Sequence, residues 1–213
     1  MRLYIYDFKE NIENERLNIG ALIEVALCNL EPLLYKFLAK GLIFRGGAAY
    51  DYVYYENERS LLFGKAINRA YELESKHAKF PRILLDDYVA QEVIKHWKCS
   101  KDECEEYKVT MPALYAEIGN IKENFEGEVA VKDSDGKYMH NFLRRIKTKV
   151  SITAFTHKSK SEFLLDCIKM CESEIRKYKF VNDNISSKYE WLLNYVLLCS
   201  IDDCDDVLFK YIE

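Results

Sequence analysis

The sequence predicts an α+β protein: one sheet layer with helices packed on it and a helical C-terminal extension. Three patterns carry that prediction. Short β-branched, aromatic or alternating runs fall at residues 42–55, 83–85 and 127–132, apolar residues recur at helical spacing over residues 19–40, and two longer helical periods follow residue 160. The chain has 213 residues, 49% hydrophobic and 31% charged, enough to bury one core. A single structural unit is therefore expected, with residues 1–98 as its core and residues 99–213 as a strand-and-helix extension packed on it.

Taken in order, residues 2–6 alternate and are aromatic, which suits a short strand, and residues 7–18 are polar enough for a loop. Within residues 19–40, Leu22, Ile23, Ala26, Leu27, Leu30, Leu33, Leu34, Phe37 and Leu38 recur at helical spacing, Pro32 marks a kink or break, and Gly41 ends the helix. Residues 42–55 read as a strand or hairpin, Glu56-Asn57-Glu58-Arg59 as a turn, and residues 64–79 as a helix that Pro81 stops. Ile83-Leu84-Leu85 is a short buried strand, Asp86 or Asp87 is the N-cap of a helix through Trp97, and the charged run at residues 98–108 is a solvated loop. Residues 127–132 alternate as an edge strand, Asp133-Ser134-Asp135-Gly136 is a turn, and residues 138–147 are expected to be helical. Helices at residues 160–178, with Phe163, Leu164, Cys167, Ile168, Cys171 and Ile175 on one side, and at residues 186–200, around Tyr189, Trp191, Leu192, Tyr195 and Val196, follow.

Composition narrows the function classes. A net charge of -4 and a pI near 5.7 leave no general footprint for a polyanion, so no nucleic-acid partner is expected. No run of about eighteen apolar residues is present and the start has no signal-peptide pattern, so no membrane association and a cytoplasmic location are expected. The seven cysteines then belong to a reducing compartment as buried thiols. Cys99/Cys104, Cys167/Cys171 and Cys199/Cys204 lie four or five apart, unlike the spacing of a zinc ribbon, and the histidines form no matching cluster, so no metal ligands are assigned.

Residues 42–74 are where chemistry concentrates. If residues 43–53 are extended, Ile43, Arg45, Gly47, Ala49, Asp51 and Val53 share one face, with Arg45 and Asp51 flanking a floor of small residues. Such a floor admits a ligand or a second backbone, and Arg45 offers a planar donor fork for phosphate. The structural alternative has Gly46-Gly47 marking tight helix–sheet packing and Arg45 paired with a carboxylate. Phe63-Gly64 opens the next helix beside Lys65, a generic anion-binding arrangement. On that helix Asn68 is either a ligand-facing polar residue or plain surface, and Glu72 with Lys76 and Arg69 reads as a solvated ion-pair network.

These blocks, Arg45-Gly46-Gly47, Phe63-Gly64-Lys65-Ala66-Ile67-Asn68, Ala70-Tyr71-Glu72-Leu73-Glu74 and Pro81-Arg82-Ile83, resemble the second half of a class III nucleotidyl cyclase catalytic domain, in particular a bacterial branch of cyclase-like proteins. Asp133-Ser134-Asp135-Gly136 followed by Asn141-Phe142-Leu143, and Lys188-Tyr189-Glu190-Trp191-Leu192, also resemble that branch. The resemblance implies a partial cyclase sheet of ferredoxin-like type with helices on one side. It implies a nucleotide ligand at Arg45, Gly46, Gly47, Gly64, Lys65 and Asn68, where Asn68 falls on the position of a nucleotide-orienting Asn.

The departures from the family are as informative. Glu72 stands where typical cyclases have a transition-state Arg, which puts an anion where negative charge develops. Lys65-Ala66 replaces the Asp-Thr pair that helps specify the base. Cyclases hold two divalent ions on two Asp carboxylates. About forty residues precede Arg45, too few for both metal-binding strands, and residues 1–8 look like the strand that follows the second carboxylate. Another reading takes Asp7 as the first carboxylate with the hairpin missing.

No catalytic residue is assigned, and Mg²⁺ or Mn²⁺ enters only if another chain supplies the carboxylates. The expectation is a degenerate or truncated cyclase-like protein that binds a nucleotide or a partner in bacterial nucleotide signalling or anti-phage defence. The alternatives are a noncanonical cyclase completed by a second chain, or a non-enzymatic interaction module. A homodimer, or a partner chain covering the N-terminal edge around Leu3 and Ile5, is also expected.

Overall fold

A computed structural model describes residues 19–102, apart from 57 and 60, together with residues 129–147 and 151–200. The expected strand at residues 2–6, with Leu3 and Ile5, and most of the charged run before residue 108 lie outside the described residues.

Helix α1 (Ile19–Ala39) forms as its apolar period requires, and it runs unbroken through Pro32. Pro32 cannot donate to the Cys28 carbonyl one turn back, yet burial of Leu22, Ile23, Leu27, Leu34 and Leu38 holds the helix on either side. Gly41, at φ 72°, closes it: its N–H bonds the Leu38 carbonyl at 2.9 Å and the Leu42 N–H bonds the Phe37 carbonyl at 2.9 Å, a paired cap that needs a left-handed residue.

The stretch expected as a strand or hairpin at residues 42–55 divides. Strand β1 (Gly46–Ala48) enters the main sheet, whereas β2 (Val53–Glu56) pairs antiparallel with β3 (Leu61–Gly64) as a separate hairpin. Each strand goes to a different partner, and Asp51, at the bend between them, accepts the Tyr52 N–H at 2.7 Å. Helix α2 (Lys65–Glu72) widens into one π-helical turn (Leu73–His77), closed by Ala78 N–H to the Leu73 carbonyl at 2.7 Å, and the chain returns as β4 (Ile83–Leu85), parallel to β1. Helix α3 (Asp87–Asp102) runs further than expected.

Strands β5 (Ala130–Lys132) and β6 (Tyr138–His140) complete a mixed sheet of order β1-β4-β6-β5, and among the described residues β5 is at the edge, as anticipated. The helix expected at residues 138–147 is therefore corrected. Met139 is paired with Leu84 and with Val131, so two strand partners override local helical preference, and only Arg144–Lys147 coils, as a 3₁₀ turn. The sheet thus draws strands from both sides of residue 98.

Short α4 (Thr153–Thr156) leads to α5 (Lys160–Tyr178) and α6 (Asp183–Ser200), which pack on each other. Ser159 and Glu162 form a reciprocal capping box at the start of α5. Two cores result: Leu84, Met139 and Phe142 with the end of α1, α5 and α6, and Leu85 with the start of α1 and α3. Among the described residues no helix is long and apolar enough to cross a membrane.

Charge is built into this interior at two places. Arg82 is fully buried, bonding Asp133 through Nη1 and Asp135 through Nη2 at 2.5 Å, with its guanidinium 5.3 Å from the Phe80 ring centre and 5.9 Å from that of Trp191. Trp191 Nε1 donates to Asp133 at 2.9 Å, and the hydrogen bond from Arg82 holds the Asp135 carboxyl below the usual carboxylate range. The second is Glu31, also fully buried, which accepts from Arg144 Nε at 2.7 Å and from Arg145 Nε. His140 lies 3.8 Å from Glu31 through Nε2, while its Nδ1 donates to the Val129 carbonyl at 3.2 Å.

Two outcomes are expected. Arg82→Met strands Asp133 and Asp135 and should lower stability by about 3 kcal/mol in urea unfolding. A loss well under 1 kcal/mol would remove this cluster from the determinants of the fold. Burial pushes His140 down to about 4, against the opposing pull of Glu31. The unfolded chain therefore takes up a proton near its ordinary value that the folded chain refuses, and stability should fall as pH drops from about 6.5 to about 4, by at most about 3 kcal/mol. His140→Gln should flatten that window. Equal pH dependence of the urea midpoint in both proteins would show that His140 is not held neutral.

Candidate functional site

A cleft of about 400 Å³ opens between α2 with its π-helical turn and the turn joining β5 to β6. Leu84 and Leu85 of β4 line it, Arg69, Glu72, Leu73 and His77 form one wall, and Asp135, Gly136, Lys137 and Tyr138 form the other. Asp86 and Asp87 complete the lining at the start of α3. Each wall has a local cause. Leu73 and His77 are four residues apart, so they share one side of the helical turn. The opposite wall is a tight turn, with Gly136 at φ 79° and its N–H bonding the Asp133 carbonyl at 2.9 Å, fastened from beneath by Arg82 through Asp135.

Position in the sheet matters as much as shape. Because β1, α2 and β4 make a parallel crossover, Asp86 follows the C-terminal end of β4, the end of a parallel strand at which ligand crevices form. Asp86 is buried. Its Oδ1 accepts the Val89 N–H at 2.7 Å and so caps α3, as one of the two expected N-caps. Its Oδ2 has no hydrogen-bond partner; Arg69 Nη2 stands 3.5 Å away. Arg69 reaches on its other side toward Asp51, at 4.0 Å.

Four carboxylates line the cleft, yet its field is nearly balanced. Asp135 is spent on Arg82, Glu72 on Lys76 at 2.9 Å, and Asp86 faces Arg69. Lys76 holds the Glu72 carboxyl below its ordinary range. Lys137 also adds its charge beside Asp135, helping to hold that carboxyl down. Tyr138 adds an aromatic ring whose hydroxyl accepts from Gln91 Nε2 at 3.0 Å.

The residues expected to bind a nucleotide are dispersed around this cleft rather than within it. Arg45 bonds Glu74 at 2.5 Å. Gly46 lies opposite Ile83 in the β1–β4 ladder. Gly47 is the floor of the expected face, but helix α2 occupies it: a Cβ there would stand 2.3 Å from the Ala70 carbonyl oxygen and 2.7 Å from Leu73 Cβ. Gly64 is closed off in the same way, its missing Cβ 2.3 Å from the Tyr52 carbonyl oxygen. Lys65 and Asn68 are exposed on α2. Lys65 lies one turn before Arg69 on the same stripe of the helix.

Arg45 and Asp51, read as flanking one face, go to different partners, Glu74 and Arg69. Sequence reasoning had Asp86 only as a cap and Lys137 and Tyr138 not at all. The available signal was an acidic doublet directly after a buried strand. No family model matches the chain, and neither a curated protein nor a solved structure does.

Proposed function

We propose that this chain is a cyclase-like protein with a degenerate active site that binds a nucleotide in the cleft between α2 and the β5–β6 turn without cyclising it. Bacterial nucleotide signalling or anti-phage defence is the setting that the sequence resemblance suggests. One observation carries the reading. Glu72, at the position of the family's transition-state Arg, sits on the cleft wall as an ion-paired anion, while one turn earlier Arg69 is held only loosely. Phosphoryl chemistry depends on cations placed where charge develops, and Glu72 contributes the opposite sign. Binding depends on less: Arg69 and Lys137 suit phosphate, and Tyr138 and the leucines beneath suit a base. In this reading Lys65 and Asn68 extend the site along α2. The partial ferredoxin-like sheet of a cyclase is part of the same proposal, supported by the parallel β1–α2–β4 crossover beside antiparallel β6.

Titration calorimetry with ATP, GTP, CTP and UTP tests it. At least one is expected to bind, and Arg69→Ala should weaken that binding about 10- to 100-fold, the range of a charge-assisted contact. Incubation with Mg²⁺ or Mn²⁺ should yield no cyclic nucleotide. Unchanged affinity in the variant removes the cleft from the site, and a metal-dependent cyclic product overturns the degenerate reading.

The proposal includes a two-chain assembly. Among the described residues β1 is an outer strand of its sheet, and Tyr52, Tyr55, Phe63 and Tyr71 of the hairpin region and α2 are each more than half exposed. Light scattering at micromolar concentration should return about twice 25.1 kDa. A mass of one chain rejects it.

A further inference from the structure

We infer that Asp86 reads a ribose hydroxyl, so that the cleft selects ribonucleotides over their dideoxy forms. The inference rests on the cleft being a nucleotide site and names the part of the ligand that its deepest polar group recognises.

The Asp86 side chain is 5% exposed, and only half of its acceptor capacity is used inside the protein. Oδ1 caps α3, whereas Oδ2 is buried with no donor. Arg69 Nη2, at 3.5 Å, is beyond the distance of a good hydrogen bond. A buried carboxylate oxygen left in that state gains from any donor that reaches it. The Asp86 residue lines the cleft, and it does so at the end of a parallel strand, where a ligand arrives.

The surroundings restrict what the donor is. A cationic amine on Oδ2 would meet the Arg69 guanidinium at close range and be repelled. Among the described residues no group of three His, Cys, Asp or Glu side chains is placed to hold a metal ion. The donor is therefore neutral, a hydroxyl or an amide-like N–H.

Separation then chooses between the two. Arg69 and Asp86 are neighbours, so the ligand's anionic group on Arg69 and its donor on Asp86 must be neighbours too. In a nucleotide the sugar adjoins the phosphate, and the edge of the base lies a full sugar further on. A ribose hydroxyl meets both conditions.

Asp86→Asn isolates the claim, because an asparagine oxygen keeps the cap to Val89 while its amide group replaces an acceptor with a donor. The experiment is calorimetric titration of the full chain with ATP, GTP, CTP and UTP, and with the 2′-deoxy and 2′,3′-dideoxy form of whichever binds. The parent protein should bind the ribose form at least ten-fold tighter than the dideoxy form, and Asp86→Asn should reduce that ratio to within about two-fold. If Asp86→Asn does not fold, the parent's ratio decides. Equal affinity for ribose and dideoxy forms, with Arg69→Ala still weakening both, overturns the inference and leaves the nucleotide site standing. A ribose preference that persists in Asp86→Asn also overturns it. No binding of any nucleotide overturns the site and the inference together.

Discussion

The buried guanidinium of Arg82 is the constraint on which the arrangement depends. Three segments distant in sequence, the approach to β4, the β5–β6 turn and α6, meet at that one group through Phe80, Asp133, Asp135 and Trp191. A buried cation needs partners: here two carboxylates take Nη1 and Nη2 and two ring faces lie against the guanidinium, while Nε is left without an acceptor. The same contacts extend outward: Trp191 stacks on Phe80 and on Tyr195, and Tyr195 donates to Asn141 at 2.6 Å and accepts from the Leu143 N–H at 3.2 Å. Sheet and helical extension are thereby joined by directional bonds as well as apolar packing. The same joint reaches the cleft, since the cleft's second wall is the turn that Arg82 holds.

Glu31 plays a corresponding part on the other side of β6. Arg144 and Arg145 converge on it from the 3₁₀ turn, and His140 from the strand itself, so α1 is keyed to the chain leaving β6. Burial is what holds His140 below the usual imidazole range, against the pull of Glu31, while its Nδ1 donates to the Val129 carbonyl. Such interior polar groups need not add much net stability, because desolvation opposes their attraction. What they add is a single register: sliding β6 by one residue would turn His140 away from Glu31 and Met139 away from Leu84.

Elements whose cause is local were legible in the sequence, and those whose cause is a distant partner were not. The faces of α1 and α5, the stop at Gly41 and the short strand at Ile83-Leu84-Leu85 follow from period and punctuation. Residues 138–140 carry no such signal, because their extended state comes from pairing with β4 and β5. The division of residues 42–55 was equally hidden, since it depends on β1 finding β4 while β2 finds β3. At the site, the small floor at Gly47 was real, but close approach by the backbone of α2 fills it. Arg45 met a carboxylate, as the structural alternative held. Asp86 was visible as a cap, yet a cap uses one oxygen, and nothing in a linear pattern tells what the other oxygen faces.

The loose hold on Arg69 bears on what the cleft accepts. Arg69 is about half exposed, and its separations of 3.5 and 4.0 Å from Asp86 and Asp51 place each attraction at roughly 1 kcal/mol or less once water screens it. A charge-assisted bond to phosphate, at about 1.5 to 3 kcal/mol, competes well with either. Withdrawal of Arg69 would, however, leave the second oxygen of Asp86 buried with neither donor nor counter-charge, and that penalty is of the same order. A bare anion would thus lose at Asp86 much of what it gains at Arg69. A ligand carrying a hydroxyl beside its phosphate supplies the missing donor in the same step, so the two groups act as one recognition element in which neither half binds well alone.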